Sequence, residues 1–417
     1  MKLFSPVVQV NINRGLKNWF CNMFRFYYQR TIGNVLIKRD PKLWVFSAWE
    51  GTKYADNAKY LFEYINENDK KGIRCVWITK NRIALSEVLK KGYEGYLVGS
   101  KEGKDVQKHA GVALRTHGLD DFGDFPYIFG AFNLHVCHGV SGNKKTYYGM
   151  NKGGIKRILS VVKAKIFNYA YRDATIVTSH FCAKTVSIDM LSNKETPIIG
   201  LARNDFINDS INDLQEVFSK EFINRHRLEV GMKYITYMPT YRPLLNSQKQ
   251  LEKTIFDIVN NEQLNDMLNE LNVKFVIKLH YATDASKMSF SDNVLLLKDS
   301  DVSDTAKLLR LSSLLITDYS SCAMDFSLKQ KGVIFYAPDL EEYEQETGMY
   351  QEFLDYLYKY RICTIEELSN RIKNFLENED AVPEETLELN RLFNERGSEV
   401  GEFRKLIYEY VCQKMNI

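Results

Sequence analysis

The first 39 residues contain no aspartate or glutamate; the first acid is Asp40. Lys2, Arg14, Lys17, Arg25, Arg30, Lys38 and Arg39 stand there instead. The bias is local, because the formal charge of the whole chain is only +3, which argues against a general polyanion or nucleic-acid binder. The 7 cysteines include no Cys-x-x-Cys pair, so neither a zinc ribbon nor a disulfide framework is readable. Several lie inside apolar runs, as buried thiols of a reducing compartment do. No basic start leads into a short apolar core with a small-residue cleavage site, so no secretory leader is expected. The best uncharged stretch, 125–143, contains His135, His138, Asn133 and Asn143 and is too polar to span a bilayer. Internal repeats and low-complexity tracts are lacking as well.

What is present is a globular composition, 45% hydrophobic and 26% charged over 417 residues, enough for two domains with real cores. Between the basic residues of 11–36 lie Trp19, Phe20, Phe24, Phe26, Tyr27 and Tyr28, the pattern of an amphipathic helix at a lipid surface. A second basic helix is expected over 154–174. From residue 43, short apolar runs alternate with helical patterns: 43–48, 74–79, 95–99, 111–116, 134–137, 175–178 and 197–201. After a polar break at 204–215, a second series follows at 233–238, 273–279, 294–297, 314–317 and 333–337. Such alternation predicts parallel sheets covered on both faces, with ligands outside the carboxyl ends of the strands. The expected partition is a membrane-association segment at 1–39, one Rossmann-like domain at 40–205, another at 206–384, and helices at 385–417 packing back on the junction.

The chain is organised around 314–343. An apolar run ends at Asp318; Tyr319, Ser320 and Ser321 follow; a helical pattern and a second apolar run complete a βαβ unit. Hydroxyls at a helix start suit an anion, and Asp325, one turn further, suits a polyol or ribose hydroxyl. His138 and Gly139 end another strand. His135 lies three residues earlier, a spacing that puts the two imidazoles on opposite faces of a strand and argues against a shared metal. Gly139 to Thr146 is not a P-loop, since only two residues separate its glycines and Asn143 precedes Lys144.

Thr317-Asp-Tyr-Ser-Ser321, with Asp325 and the run from Ile334 to Glu344, resembles the C-terminal signature of the CDP-glycerol glycerophosphotransferase family, the teichoic-acid and capsule polyol-phosphate transferases. Further motifs follow the family order. His138-Gly139 with Lys144 and Lys145 resembles His-Gly-Thr-Pro-Leu-Lys-Lys, with Val-Ser-Gly-Asn in place of Thr-Pro-Leu. Gly200 to Asp205 resembles Gly-x-Pro-Arg-Asn-Asp, with Ala202 for proline. Pro239-Thr240-Tyr241-Arg242 resembles Pro-Thr-Trp-Arg, and Lys278-Leu279-His280 matches Lys-Leu-His. The resemblance implies a GT-B fold of two facing Rossmann-like domains, here with an N-terminal amphipathic helix. It implies transfer of glycerol phosphate, or a related polyol phosphate, from CDP-glycerol to a lipid-linked glycan or growing polymer, with release of CMP. It also implies a bacterial, cytoplasmic enzyme peripheral on the inner face of the membrane.

The residue chemistry is consistent with that expectation. A pyrophosphate needs cations and hydrogen-bond donors, and Arg203, Arg242, Lys278, His280, Ser320 and Ser321 follow apolar strands. Gly139, Pro239, Thr240, Leu279 and Asp325 complete the expected donor side; Lys144 and Lys145 are the expected acceptor side. His138 is the expected base for the acceptor hydroxyl, and His280, on the pyrophosphate side, is the second expected catalytic residue. Asp299 and Asp301 read as a loop before a helix that Asp304 caps, so no metal and no cofactor beyond the donor substrate are expected. Two other readings use the same residues: a GT-B glycosyltransferase, whose usual product is a nucleoside diphosphate, and a silent membrane-docking homologue, suggested by the altered Val140-Ser141-Gly142 turn.

Overall fold

The computed structural model describes residues 36–146, 172–190, 193–240, 242, 245–279, 292–298, 301–302, 304–378 and 381–417, with Cys21, Phe24, Tyr27, Tyr28 and Thr31 before them. Most of the expected amphipathic segment, His280 and Asp299 lie outside these residues. So does the helix expected over 154–174, except for its last three residues, which belong to a strand.

Two parallel sheets carry the fold. The first has β1 (Asp40–Ser47), β2 (Arg74–Thr79), β3 (Gly95–Leu97), β4 (Ala110–Arg115), β5 (Phe132–His135), β6 (Arg172–Thr175) and β7 (Asn193–Glu195), in the order β3-β2-β1-β4-β5-β6-β7. The second has β8 (Lys233–Met238), β9 (Val273–Lys278), β10 (Val294–Leu297), β11 (Leu314–Thr317) and β12 (Val333–Phe335), in the order β10-β9-β8-β11-β12. Every residue of β4, β9 and β11 is buried, which is why these runs are mostly apolar rather than strictly alternating, with Arg115, Lys274 and Lys278 as the charged exceptions. Several boundaries differ from the sequence expectation, among them two near one edge of the first sheet. The run at 175–178 is preceded by a strand over Arg172–Thr175, and the run at 197–201 contributes only a bridge from Ile198 to Val177. The sheet edge is instead Asn-Lys-Glu of β7. An edge strand need not be apolar, and Glu195 there holds Tyr410 and Lys414.

Helices cover both sheets: α1 (Asp56–Asn68), α2 (Arg82–Lys90), α3 (Lys101–His109) and α4 (His180–Met190) with the first; α5 (Lys220–His226), α6 (Leu245–Val259), α7 (Glu262–Glu270), α8 (Thr305–Leu311), α9 (Cys322–Ser327), α10 (Leu340–Thr347), α11 (Gln351–Tyr360) and α12 (Ile365–Glu377) with the second. In α1 the buried Ala58, Leu61, Phe62 and Ile65 recur at helical spacing and form one face. Phe62 meets Trp77 edge-on at 5.5 Å and Phe46 at 5.3 Å. Truncating Phe62 to alanine would cost about 3–5 kcal/mol, the range for a buried aromatic. Asp304 caps α8 by accepting from Ala306 N.

The last helices tie the two sheets together. On α13 (Glu384–Phe393), Asn390 donates to the Ser327 carbonyl of α9, and the following Asn394 donates to that of Met324. Ahead of α14 (Phe403–Met415), buried Asp205 accepts from the backbone N–H of Gly401 and, at the helix start, from those of Phe403 and Arg404. Tyr408 of α14 then reaches Asp69 beyond α1. One apolar core therefore continues from Trp44 and Trp77 through Phe393 and Phe403 to Phe335 and Phe353.

Candidate active site

β5 stops at His135, and two residues later Cys137 adopts φ 56°. A left-handed cysteine is costly, and its surroundings hold it: Asn57 Nδ2 donates to its carbonyl at 3.0 Å. The twist ends the strand alternation. His135 and His138 therefore do not diverge but converge on one acceptor, the Thr116 carbonyl, at 2.9 Å from His135 Nε2 and 3.3 Å from His138 Nδ1. A carbonyl oxygen only accepts, so Nδ1 of neutral His138 carries the hydrogen and Nε2 keeps its lone pair. The exposed His138 ring stacks on His117 at 4.1 Å, with Trp49 6.1 Å away. His117 lies half-buried at the end of β4, and its Nδ1 is 2.9 Å from Thr116 Oγ1. Burial, with the neighbouring His138 and Lys53, pulls its pKa down to about 3, so it stacks as neutral imidazole.

The other wall comes from the second sheet. After β11, Ser320 and Ser321 reach Gly139: a Cβ on Gly139 would stand 2.6 Å from Ser321 Oγ. Only a residue without a side chain permits this approach. Ser321 begins α9, yet its hydroxyl makes no capping bond, which leaves it available as a donor toward the cavity. The six residues of α9 make a short dipole, so hydroxyls rather than a long helix are the donors here. The cavity measures about 430 Å³; His117, His138, Gly139, Lys144, Ser320 and Ser321 lie on it. Asn143 bridges the halves by donating to the Tyr319 carbonyl at 2.8 Å. Lys144 Nζ lies 3.3 Å from Tyr343 OH; burial lowers its pKa, against the opposing pull of Asp318. The Lys145 backbone N–H donates to the Gly348 carbonyl, and its ammonium lies over the Tyr350 ring.

Three expected donor contacts sit beneath this surface instead. Arg203 places Nη1 2.7 Å from Asp56 Oδ1 and Nη2 2.5 Å from Asp325 Oδ2. It also donates to the His138 carbonyl at 2.8 Å. Asp325 is 1% exposed and its second oxygen accepts from Asn204, so its carboxylate has no face toward the cavity. Arg242 is 2% exposed, held by Asp339 and Asp318 and lying against the Tyr319 and Tyr343 rings, which stack on each other. Buried charges demand partners, and these guanidiniums have found carboxylates rather than a place on this cavity. The Thr240 N–H is likewise used by Asp318, while Pro239, Lys278 and Leu279 are buried. Through Asp318 and the Tyr319 ring, Arg242 and Thr240 support the chain that leads into the Ser320-Ser321 turn. Among the described residues no group of three or more His, Cys, Asp or Glu could hold a metal ion.

Sequence reasoning missed His117, Trp49, Asp56, Asp318 and Asp339. His117 obeys the rule that picked His138, since it follows the apolar run 111–116. The carboxylates carry no pattern of their own; they are found only by asking what pairs with each buried arginine.

The family model and the curated relatives agree on one family. The family model described as CDP-Glycerol:Poly(glycerophosphate) glycerophosphotransferase matches residues 30–412. The teichoic acid glycerol-phosphate primase of Bacillus spizizenii is 27% identical over 200 residues, 48% of this chain and 48% of the primase, so that match spans about half the relative's length. The teichoic acid poly(glycerol phosphate) polymerase of the same organism is 26% identical over 78% of this chain and 80% of its own. A solved structure of the wall teichoic acid polymerase TagF, soaked with CDPG, superposes with a TM-score of 0.67 over 98% of each chain at 19% identity, which establishes a shared GT-B-like fold. With nearly the full length matched by the family model, the chain belongs to the CDP-glycerol:poly(glycerophosphate) glycerophosphotransferase family.

Proposed function

We propose that this chain transfers glycerol phosphate, or a related polyol phosphate, from CDP-glycerol to a hydroxyl of a lipid-linked glycan or growing teichoic-acid or capsule polymer. The observation that carries this reading is the facing pair of groups across Gly139: the His138 imidazole with its Nε2 lone pair, and the free Ser321 hydroxyl. The acceptor O–H gives its proton to His138 Nε2 while its oxygen bonds to the phosphorus that bears glycerol. The bond from that phosphorus to the bridging oxygen breaks, and the electron pair leaves with CMP. Ser320, Ser321 and Lys144 stabilise phosphate charge, and the mass of the catalysis is positioning and electrostatics. Arg203 and Arg242 act one layer below, fixing the His138 carbonyl and the Tyr319 turn.

The same reading makes the enzyme peripheral on the cytoplasmic face of the membrane, docked through the basic, aromatic first 39 residues. No helix among the described residues is long and apolar enough to cross a bilayer. Incubation with CDP-glycerol, CDP-ribitol and nucleotide sugars, each with lipid-linked acceptors, tests the proposal. CMP together with an acceptor lengthened by a polyol phosphate supports it; a nucleoside diphosphate with a glycosylated acceptor overturns it.

A further inference from the structure

A second cavity of about 200 Å³ lies between the two halves of the molecule. The first half contributes α1 and Lys91, just past α2; the second half contributes α8; the turn at Ala202–Phe206 closes it with Arg203 and Phe206. Four further cations line it: Lys59, Lys91, Lys307 and Arg310. Carboxylates already answer three of them. Lys91 meets Glu63 at 2.6 Å, Arg310 meets Glu216 at 2.6 Å, and Lys59 lies 3.6 Å from Asp304, beyond hydrogen-bond length. Glu63, the carboxylate that faces the cavity, is engaged by Tyr54 and Lys91 together. Arg203 is matched by Asp56 and Asp325. Lys307 is left over: its ammonium has no hydrogen-bond or ion-pair partner among the described residues. Burial and the like charges of Lys59 and Lys91 pull its pKa down, against a weaker opposing pull from Asp304 and Glu216, neither of which pairs with the ammonium.

An unanswered, half-buried cation beside a second cation is unfavourable unless an anion joins them. We propose that this pocket binds a phosphate group, held by Lys307 with the spare donors of Lys59 and walled by Tyr60 and Phe206. Its position suggests the source. Arg203 lines this pocket and also donates to the His138 carbonyl, so the pocket is one guanidinium away from the reacting end of the site. A phosphodiester farther along a glycerophosphate acceptor, or inorganic phosphate, has the chemistry required. Assignment to the acceptor chain rests on the proposed glycerophosphate transfer; the anion site itself does not. Because both halves supply cations, a bound phosphate would also hold them together.

Titration calorimetry with inorganic phosphate, at constant ionic strength, tests the site on the full-length protein. Wild type and Lys307→Arg should bind it, whereas Lys307→Gln should bind about tenfold more weakly or worse, the loss expected for one charge-assisted hydrogen bond. Without phosphate, Lys307→Gln should melt no lower than wild type, since it removes an unpaired charge, and this shows that the variant folds. KM values then separate the sources. A raised KM for acceptors carrying several glycerol phosphates, with KM for CDP-glycerol unchanged, assigns the pocket to the acceptor chain; unchanged values for both assign it to free phosphate. Equal phosphate responses of wild type and Lys307→Gln, present or absent in both, overturn the proposal. Phosphate binding is read without turnover, so a failure of the transferase reading leaves this result standing.

Discussion

Gly139 and Ser321 meet across the two halves so closely that a Cβ on the glycine would stand 2.6 Å from the serine Oγ. The expected base and the expected phosphate donors are neighbours because of this contact. Gly139→Ala should therefore reduce turnover by forcing the Ser321 side chain aside. Ser321→Ala removes the colliding oxygen, and the next Ser321 atom is 3.5 Å away. The two substitutions should be non-additive, with a coupling of about 0.5–3 kcal/mol in kcat/KM, as expected for residues in contact. Strict additivity would show that the two loops are apart in the working enzyme.

Ser320→Ala with Ser321→Ala should weaken CDP-glycerol binding by about 1–3 kcal/mol, the range for hydrogen bonds to a charged group. Calorimetry reads this directly. Unchanged affinity would remove the turn from the donor site.

Arg203 joins Asp56 of the first half to Asp325 of the second, and both carboxylates are almost fully buried. Arg203→Met should destabilise the fold by about 3–5 kcal/mol, because it strands two buried carboxylates. Adding Asp56→Asn and Asp325→Asn should recover much of that loss. Calorimetric melting of the single and triple variants checks both statements; equal melting of wild type and Arg203→Met would contradict them.

His117 sets a pH dependence of stability. Its folded pKa of about 3 lies below the ordinary histidine value of about 6.5. Between these values the unfolded chain binds the proton and the folded one does not. Its contribution is thus complete above about pH 6.5 and is lost as the pH falls toward 3. His117→Phe keeps a ring against His138 but cannot titrate, so it should lose less stability than wild type between pH 7 and pH 5. Urea midpoints at the two pH values check the slope; parallel losses would show that His117 is already protonated in the fold.

The sheets were legible because a parallel strand buried on both faces writes itself as an apolar run, as 74–79, 233–238 and 314–317 do. β7 was not, since an edge strand of Asn-Lys-Glu needs no apolar residue. His138 and Ser321 were legible from their places after strands. The depth of Arg203 and Arg242 was not, because a guanidinium under a loop and one lining a cavity have the same sequence; only Asp56, Asp318, Asp325 and Asp339, distant along the chain, tell them apart. The convergence of His135 and His138 turned on one left-handed residue, Cys137, whose type gives no warning of it.

The central claim is that His138 takes the acceptor proton in a transfer from CDP-glycerol. Single-turnover release of CMP, with and without a lipid-linked acceptor, tests it most directly in wild type and His138→Ala. The account predicts acceptor-dependent CMP release by wild type. It predicts a loss of about 100-fold or more in His138→Ala, the scale of general-base catalysis, with CDP-glycerol affinity retained. Near-normal, acceptor-dependent CMP release by His138→Ala would contradict it.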